Sequence, residues 1–234
     1  MLTLKAAKSL AITKLHIGQE GAPVLVVDNF VDQPELLIDW ASKLHFEKNS
    51  PFYPGVRARV PAAYQQLIVT ELQDTLRDFF NLPTPPLSFS VCHYSIVTTP
   101  PEQLKLLQRI PHFDSVNKDG LAAVHYLFKG NMGGTSFYRH RKTGFEAIDE
   151  SRQLDYFRSL ESENDGPNLP KISDGYINGD TCLFECIEQQ AAVFNRLIIY
   201  RRNSLHSGAI PLDYHFSDDP LNGRLTISSF IDCL

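Results

Sequence analysis

Three residues of this sequence have the types and spacing of a metal site. In the segment His112-Phe113-Asp114, an imidazole and a carboxylate stand two residues apart. Alternate residues of an extended segment share a face, so both side chains can point at one ion. His206 lies far downstream, at the end of the run that starts at Asn195. Two histidines and one carboxylate are the ligand set expected for a non-haem Fe(II) centre that keeps positions open for a cosubstrate and O2.

The H-x-D pair alone is a weak signal, because a His and an Asp two residues apart also occur at turns and on hydrogen-bonded surfaces. The surrounding sequence strengthens it. Residues 122–128 form an apolar strand candidate, and Gly133-Gly134 can supply the backbone angles of a turn before the next strand. We therefore predict that the three residues lie in a β-rich pocket.

A candidate anion-binding strand follows His206. If the segment from Arg224 to Ser228 is extended, then Arg224, Thr226 and Ser228 share one face. A cation and hydroxyls on an otherwise apolar strand need a partner, and a bound carboxylate satisfies them. The preceding insert, residues 210–223, is rich in turn formers, so we predict a long loop between two adjacent strands.

The order of these motifs resembles that of the 2-oxoglutarate/Fe(II)-dependent oxygenases, most closely their prolyl-hydroxylase-like branch. The resemblance covers roughly residues 88–232. It depends on the following order: Tyr94, the H-x-D, Tyr-Leu at 126–127, Gly-Gly-Thr-x-Phe at 133–137, Asn-Arg-Leu-Ile-Ile at 195–199, His206 and Arg224. The sequence departs from the family at Phe128, where the family has Asn. The implied fold is mainly β with flanking helices, a double-stranded β-helix or jelly-roll barrel braced by N-terminal helices.

The resemblance also implies a function and a set of site residues. The activity would be that of a dioxygenase, a hydroxylase that uses Fe(II), 2-oxoglutarate and O2 and releases succinate and CO2. Iron would be held at the catalytic centre by His112, Asp114 and His206. The distal carboxylate of 2-oxoglutarate would bind Arg224, and the pocket around this cosubstrate would include Tyr94, Tyr126 and Thr226. Should Arg224 face outward, Arg139 and Arg196 are the remaining candidates for its role.

Composition agrees with an ordinary enzyme. The chain has 234 residues, 43% of them hydrophobic, which is enough for one good-sized core. Its formal charge of −5 argues against a general nucleic-acid binder. No run of eighteen apolar residues predicts a membrane helix. No hydrophobic signal segment is evident, and the four cysteines form no C-x-x-C pair, so we expect a cytoplasmic protein with reduced thiols.

The chain is predicted to form a single domain, residues 1–234. Residues 1–86 should hold a strand near Val24 and two supporting helices, one opening at Asp32 and running through Leu44, the other spanning Ala62 to Phe80. Residues 87–234 should form the double-stranded β-helix core. A polar helical insertion at 146–170 is either a substrate lid or a surface excursion. His140, just before it, is expected to face solvent.

Two other functions stay open. One is a cupin-like metal enzyme, such as a hydrolase or isomerase, that uses the same three ligands without 2-oxoglutarate. The other is a non-enzymatic binding protein on the same barrel, which would have no need to maintain a buried polar triad. The sequence leaves the substrate open between an amino acid, a peptide, a protein and another small molecule. It also leaves the oligomeric state open.

Overall fold

The structure, a computed structural model, describes residues 3–48, 50–84, 86–164 and 166–233. These residues form two antiparallel sheets and three α-helices. The strands are β1 (Ala11–Ile17), β2 (Ala22–Asp28), β3 (Gly55–Arg59), β4 (Leu87–Val97), β5 (Leu121–Tyr126), β6 (Thr135–His140), β7 (Phe184–Gln190), β8 (Leu197–Arg201), β9 (His206–Gly208) and β10 (Leu225–Cys233). The mainly β fold with flanking helices is therefore confirmed.

The large sheet draws strands from both halves of the chain. Its order is β1-β2-β8-β5-β10-β4-β3, and the small sheet has the order β7-β6-β9. The segment before residue 87 was predicted to contribute one strand and supporting helices, but it supplies three strands, which lie at the two edges of the large sheet. The loop at 210–223 joins β9 to β10 as predicted, except that these strands lie in different sheets rather than side by side.

The helices are α1 (Glu35–Ala41), α2 (Ala62–Phe80) and α3 (Glu150–Glu163). The bounds of α2 match the prediction, whereas α1 ends three residues before Leu44. One face of the large sheet packs on α1 and α2, in a core that includes Leu37, Ile68, Leu72, Ile199 and Ile227. No helix of the described residues is long and apolar enough to cross a membrane. The four cysteines are free thiols.

The other face of the large sheet, together with the small sheet, encloses the barrel interior. Because successive side chains of a strand point to opposite faces, each central strand supplies one row to the helix side and one to the interior. The interior row includes Val26, Tyr126, Ile198 and Tyr200 from the large sheet and Phe137 from the small one. The rings of Phe137 and Tyr200 meet edge to face, with centroids 5.0 Å apart. This packing joins the two sheets next to β9.

Asn195 ties the start of β8 to the N-terminal segment. Its φ of 63° lies in the left-handed region, which Asn tolerates better than most residues. Its side chain accepts a hydrogen bond from the Val31 backbone N–H at 3.0 Å and donates one to the Val31 carbonyl at 2.8 Å. The same Oδ1 lies 3.1 Å from Nε2 of the buried His125. Asn195 is therefore a buried polar junction between β8 and the N-terminal segment.

Candidate active site

Backbone pairing brings the three predicted ligands together. The H-x-D segment lies alongside the start of β9: His112 N–H donates to the His206 carbonyl, and His206 N–H donates to the His112 carbonyl, each at 2.9 Å. Asp114 N–H donates to the Arg202 carbonyl at 2.7 Å. The main chain alone thus fixes both ends of the H-x-D against one segment, which sets the positions of all three side chains.

The side chains form a compact donor set. One ligand atom from each of His112, Asp114 and His206 lies within 4.8 Å of the others. Asp114 Oδ1 is 3.9 Å from His112 Nε2, and Asp114 Oδ2 is 3.5 Å from His206 Nε2. Ligands about 2.1 Å from an ion and at right angles to each other are about 3 Å apart, so shifts of less than about 1 Å would place all three on one metal.

Exposure differs across the triad. The side chain of His206 is 7% exposed and that of Asp114 is 15% exposed, whereas His112 is 52% exposed. His206 and Asp114 therefore line the inner wall of the site and His112 its open rim. Such a set leaves one side for molecules that enter from solvent.

Hydrogen bonding and electrostatics orient the imidazoles for metal binding. Nδ1 of His206 lies 3.0 Å from the Ser204 carbonyl, which fixes the ring with Nε2 facing Asp114. Loss of hydration around the His112 nitrogens, together with the nearby His206, lowers the pKa of His112. His112 therefore favours the neutral form, which offers a nitrogen lone pair to a metal.

Arg224 lies directly before β10 and is buried, as a carboxylate-binding residue should be, but much of its guanidinium is already bonded. Nε donates to the carbonyls of Met132 and Gly133, at 3.0 and 3.2 Å, and Nη2 donates to the carbonyl of Gly134 at 3.0 Å. Within the described residues, Nη1 has no such partner. In this conformation the turn therefore uses Nε and one N–H of Nη2, and Nη1 with the second N–H of Nη2 remains for a carboxylate.

The Gly133-Gly134 turn is pressed against neighbouring backbone. A Cβ on Gly133 would lie 1.9 Å from the Ala209 carbonyl oxygen, and one on Gly134 equally close to that of Gln190. Gly133 also has a φ of 79°, a conformation that favours glycine. The turn was predicted from the two glycines. Its consequence for the site is that three carbonyls in succession aim at Arg224.

Gly208 sets the distance between Arg224 and the triad. It lies two residues after His206 on β9, and a Cβ at this position would stand 4.0 Å from Nη2 of Arg224. Two residues of a strand span about 7 Å, and residues so spaced share a face. The guanidinium and the His206 side chain therefore lie on one side of β9, with Gly208 between them and the Ile210 side chain beside it.

Tyr126 and Thr226, which were predicted to line the cosubstrate pocket, pair with each other across β5 and β10, and their hydroxyls are engaged. Tyr126 Oη lies 2.7 Å from the Thr135 hydroxyl, and its ring lies beneath the Arg224 guanidinium, 5.9 Å from Cζ to the ring centroid. Thr226 donates its hydroxyl proton to the Ser95 carbonyl at 3.2 Å. In this conformation Thr226 therefore has no proton to offer a carboxylate.

Tyr94 lies on the other side of the large sheet, which contradicts the pocket position predicted for it. Its hydroxyl donates to the Leu37 carbonyl of α1 at 3.0 Å, within the core between sheet and helices. The reason is that successive side chains of β4 point to opposite faces of the sheet. Tyr94 pairs with Ile227, a helix-side residue, while its neighbour Ser95 pairs with Thr226. The residue of β4 that faces the cavity is Ser95.

The two alternative arginines, Arg139 and Arg196, are engaged in ion pairs. Arg139 forms ion pairs with Glu146 and Glu185, the latter at 2.7 Å. Arg196 pairs with Asp28 at 2.6 Å. Neither guanidinium is available to bind a cosubstrate, so Arg224 stays the prediction.

Sequence reasoning missed Tyr53 and Ser95. Tyr53 precedes β3, and its buried hydroxyl faces the Ser95 hydroxyl closely enough for the two to interact; neither has another hydrogen-bond partner within the described part of the chain. Burial raises the pKa of Tyr53 to about 12, against the opposing effect of Arg224. The two hydroxyls thus supply the donors that Thr226 lacks. The alternation of β4 could have indicated Ser95, whereas no sequence signal marks Tyr53.

The insertion packs beside the H-x-D. The ring of Phe113, between the two metal-ligand candidates, lies 6.1 Å from that of Tyr156 and 6.0 Å from that of Phe157, both on α3. His140 was expected in solvent but is fully buried, with Nε2 2.9 Å from the Glu163 carboxylate at the end of α3. The expectation failed because α3 folds back over the end of β6.

A separate surface cleft of about 820 Å³ lies behind Arg224. It is lined by residues of the β9–β10 loop, such as Tyr214 and Phe216, and by Met132. Tyr214 also accepts the backbone N–H of Arg224 at 3.0 Å. The cleft therefore adjoins the backbone of Arg224.

A sequence comparison places the chain in a family. The profile described as "Family of unknown function (DUF6445)" matches residues 8–231. The chain belongs to this family. No curated protein matches the sequence.

Solved structures show what fold this DUF6445 member has. HygX from Streptomyces hygroscopicus, with nickel and 2-oxoglutarate bound, aligns with a TM-score of 0.53 and 13% identity, covering 91% of this chain and 83% of that one. HygX with nickel, 2-oxoglutarate and hygromycin B aligns with a TM-score of 0.51 and 11% identity, over the same shares. The DUF6445 chain thus has the double-stranded β-helix fold of the 2-oxoglutarate/Fe(II) oxygenases.

Proposed function

We propose that this protein is an Fe(II)- and 2-oxoglutarate-dependent oxygenase. The observation that carries the proposal is one cavity with two ends: His112, Asp114 and His206 converge at one end, and the buried guanidinium of Arg224 stands at the other. Gly208 stands between them on β9 and adds no side chain of its own. A dicarboxylic keto acid needs a metal for one end and a cation for the other, and this cavity offers both.

The donor set fits Fe(II). Two imidazoles and one carboxylate leave three positions of an octahedron, enough for a bidentate keto acid and O2. When bound, iron with 2-oxoglutarate and O2 supplies the oxidising chemistry, which releases succinate and CO2 and most simply ends in hydroxylation of the substrate. Zinc and other divalent ions also bind such ligands, so geometry alone does not select the metal.

The protein's own residues position and shield the reactants. Ser204 fixes the ring of His206, and the apolar wall of Tyr126, Phe137 and Tyr200 excludes water from the inner side of the triad. Arg224 orients the distal carboxylate through Nη1, while the hydroxyls of Tyr53 and Ser95 lie nearby as further donors. No side chain is required to act as a general base.

The fold neighbours support the choice of cosubstrate. HygX carries nickel and 2-oxoglutarate on the same fold. What this chain oxidises is a separate question, because hygromycin B was found in HygX and an identity of 11–13% does not transfer a substrate.

A cupin-like metal enzyme without 2-oxoglutarate is the second candidate. It is favoured by one observation: Arg224 already has a structural task, since it holds three carbonyls of the Met132–Gly134 turn. In that case the hydrogen bonds to the turn explain why a buried arginine stands at this position, and no bound dicarboxylate is required.

An anaerobic titration separates the two. We expect protein loaded with Fe(II) to develop a visible metal-to-ligand charge-transfer band on addition of 2-oxoglutarate, because the keto acid chelates the metal. Succinate, which lacks the keto group, is the matched control and should give no band. Iron binding without such a band would favour the cupin-like enzyme.

A further inference from the structure

Two cations, Arg57 and Arg59, and one histidine, His93, gather on the interior face of the edge strand β3 and its neighbour β4. Arg57 pairs with Ser95 and Arg59 with His93, so all four side chains share the face of Ser95, which is the cavity face. Arg57 and Arg59 are close enough to His93 to lower its pKa, together with burial. Arg59 is exposed, whereas Arg57 is half-buried.

Arg57 lies against Tyr53 and within electrostatic range of Asp114. Its guanidinium stacks over the Tyr53 ring, with Cζ 4.2 Å from the centroid. Burial lowers the pKa of Arg57. The charge of the nearby Asp114 opposes this effect. The two residues nevertheless form no ion pair within the described residues, which leaves a gap between guanidinium and carboxylate.

Unmet hydrogen-bond donors surround this gap. Nε of Arg57 is buried and has no partner among the described residues. Nδ1 of His93 is in the same condition, whereas the hydroxyls of Tyr53 and Ser95 face each other closely enough to interact. Leaving buried polar atoms unpaired costs free energy, and most such atoms in proteins have a partner or mark a site where one binds. A charged group with an unmet donor calls for an anion.

We propose that Arg57 binds a carboxylate of the oxidised substrate, which makes that substrate a small carboxylic acid or a carboxylate-bearing residue. This inference rests on the proposed oxygenase function. The distal carboxylate of 2-oxoglutarate is not the ligand of Arg57, because it must lie away from the metal, at Arg224. A monoanion suits the site better than a phosphate, since Asp114 adds a negative charge close by.

The position of Arg57 also bears on reactivity. A substrate held by its carboxylate beside Asp114 presents the neighbouring carbon atoms to the open, His112 side of the triad. Arg57 is then a binding residue that determines which C–H bond is oxidised. Tyr53, stacked beneath its guanidinium, is the positioning residue that restricts the fork to one orientation.

The test uses acetate as the probe and acetamide, of the same size without charge, as its control. In metal-free protein, saturation-transfer NMR should detect acetate but not acetamide, and Arg57→Gln should reduce the acetate signal by about tenfold. Arg57→Lys should retain part of it, because charge is kept and the fork is lost. Arg158→Gln, an exposed arginine on α3, serves as the matched variant and should leave it unchanged.

A second experiment measures whether acetate binds close to the metal. With Mn(II) and saturating 2-oxoglutarate, the methyl protons of acetate should relax faster in the wild type than in Arg57→Gln, whereas 2-oxoglutarate affinity should be equal in the two proteins. Equal relaxation of acetate in both would overturn the proposal. So would a loss of 2-oxoglutarate affinity in Arg57→Gln, which would assign Arg57 to the cosubstrate.

A separate measurement, the binding of 2-oxoglutarate in the presence of metal, tests the proposed oxygenase function. If the wild type binds no 2-oxoglutarate in the presence of metal, the oxygenase assignment fails. The acetate signal of the metal-free protein still decides whether Arg57 is a carboxylate site. A wild-type protein that shows no difference between acetate and acetamide rejects that site regardless of the metal result.

Discussion

The main chains of His112 and His206 hold each other through two hydrogen bonds, each 2.9 Å long. This reciprocal pair joins segments far apart in the sequence, and it makes the H-x-D a short extension of the small sheet next to β9. The two rings then stand with centroids 4.3 Å apart. Since backbone bonds fix the ligand positions, the site is preorganised before any metal arrives, and removal of one imidazole should affect metal affinity more than fold.

The first prediction concerns this imidazole. His206→Ala should abolish stoichiometric Fe(II) binding or weaken it strongly, because water does not replace a lost ligand held at a fixed position. Equilibrium dialysis under anaerobic conditions measures the affinity. His45→Ala, at an exposed histidine outside the site, is the control and should bind iron like the wild type. Unchanged affinity in His206→Ala would reject the triad.

The second prediction is a pH dependence of stability from His125. This residue is buried between Phe30 and Tyr64, and burial lowers its pKa from 6.5 to about 4. The unfolded chain therefore takes up a proton at this residue below about pH 6.5, and the folded protein does so only near pH 4. His125 thus favours the folded state above pH 6.5, and that contribution is lost as pH falls towards 4, by about 3 kcal/mol in total.

His125→Gln isolates this effect. Gln can keep the hydrogen bond to Asn195 but does not titrate, so the fall in the free energy of unfolding between pH 6.5 and 4 should be shallower in this variant than in the wild type. Chemical denaturation at several pH values, with a chelator present, measures it. The exposed-site variant His45→Gln should retain the wild-type slope. Parallel curves for His125→Gln and wild type would contradict the burial of a neutral imidazole.

Local sequence patterns predicted the parts of the fold that local physics determines. The apolar stripe of α2 gave both of its ends, because that helix has one buried face and one exposed face. The H-x-D and His206 were found by ligand chemistry, and Gly133-Gly134 by turn geometry. Each of these signals is complete within a short segment and needs no knowledge of distant residues.

The errors came where two faces of one element are buried. β4 is covered by helices on one side and by the barrel on the other, so its apolar pattern did not reveal that Tyr94 faces the helices and Ser95 the cavity. His140 was misplaced for a related reason, since its burial depends on α3, which follows it in the chain. Arg57 carries no local signal at all, because only the register of β3 against β4 aims it at Asp114.

The third prediction concerns α3. Because Phe113 lies between two metal-ligand candidates and packs on Tyr156 and Phe157, metal binding should slow hydrogen exchange in the segment Glu150–Glu163. Mass spectrometry with and without Ni(II) and 2-oxoglutarate measures this. Strand β1, on the far edge of the large sheet, is the internal control. In Phe113→Ala the protection should be smaller. Equal exchange in α3 with and without ligands would exclude a lid.

The last prediction tests Arg224, which the structure gives two tasks. As a donor to three backbone carbonyls, it stabilises the Met132–Gly134 turn without any ligand, so Arg224→Met should lower the free energy of unfolding of the metal-free protein by about 1–3 kcal/mol. As a cation at the end of the cavity, it should bind 2-oxoglutarate. The same variant should therefore weaken that binding by about 2–5 kcal/mol, and Arg224→Lys by less, because Lys keeps the charge.

Two measurements separate these tasks. Denaturation of the metal-free protein reports the turn, and calorimetric titration of 2-oxoglutarate into protein loaded with Ni(II) reports the cosubstrate. Asn131→Ala, at the exposed residue before Met132, keeps the backbone carbonyls and is the matched control, so both quantities should stay close to the wild type. Iron affinity should survive in all variants, because Arg224 does not touch the triad. A Met variant that loses stability but binds 2-oxoglutarate like the wild type would leave Arg224 a purely structural role and move the preference to the cupin-like enzyme.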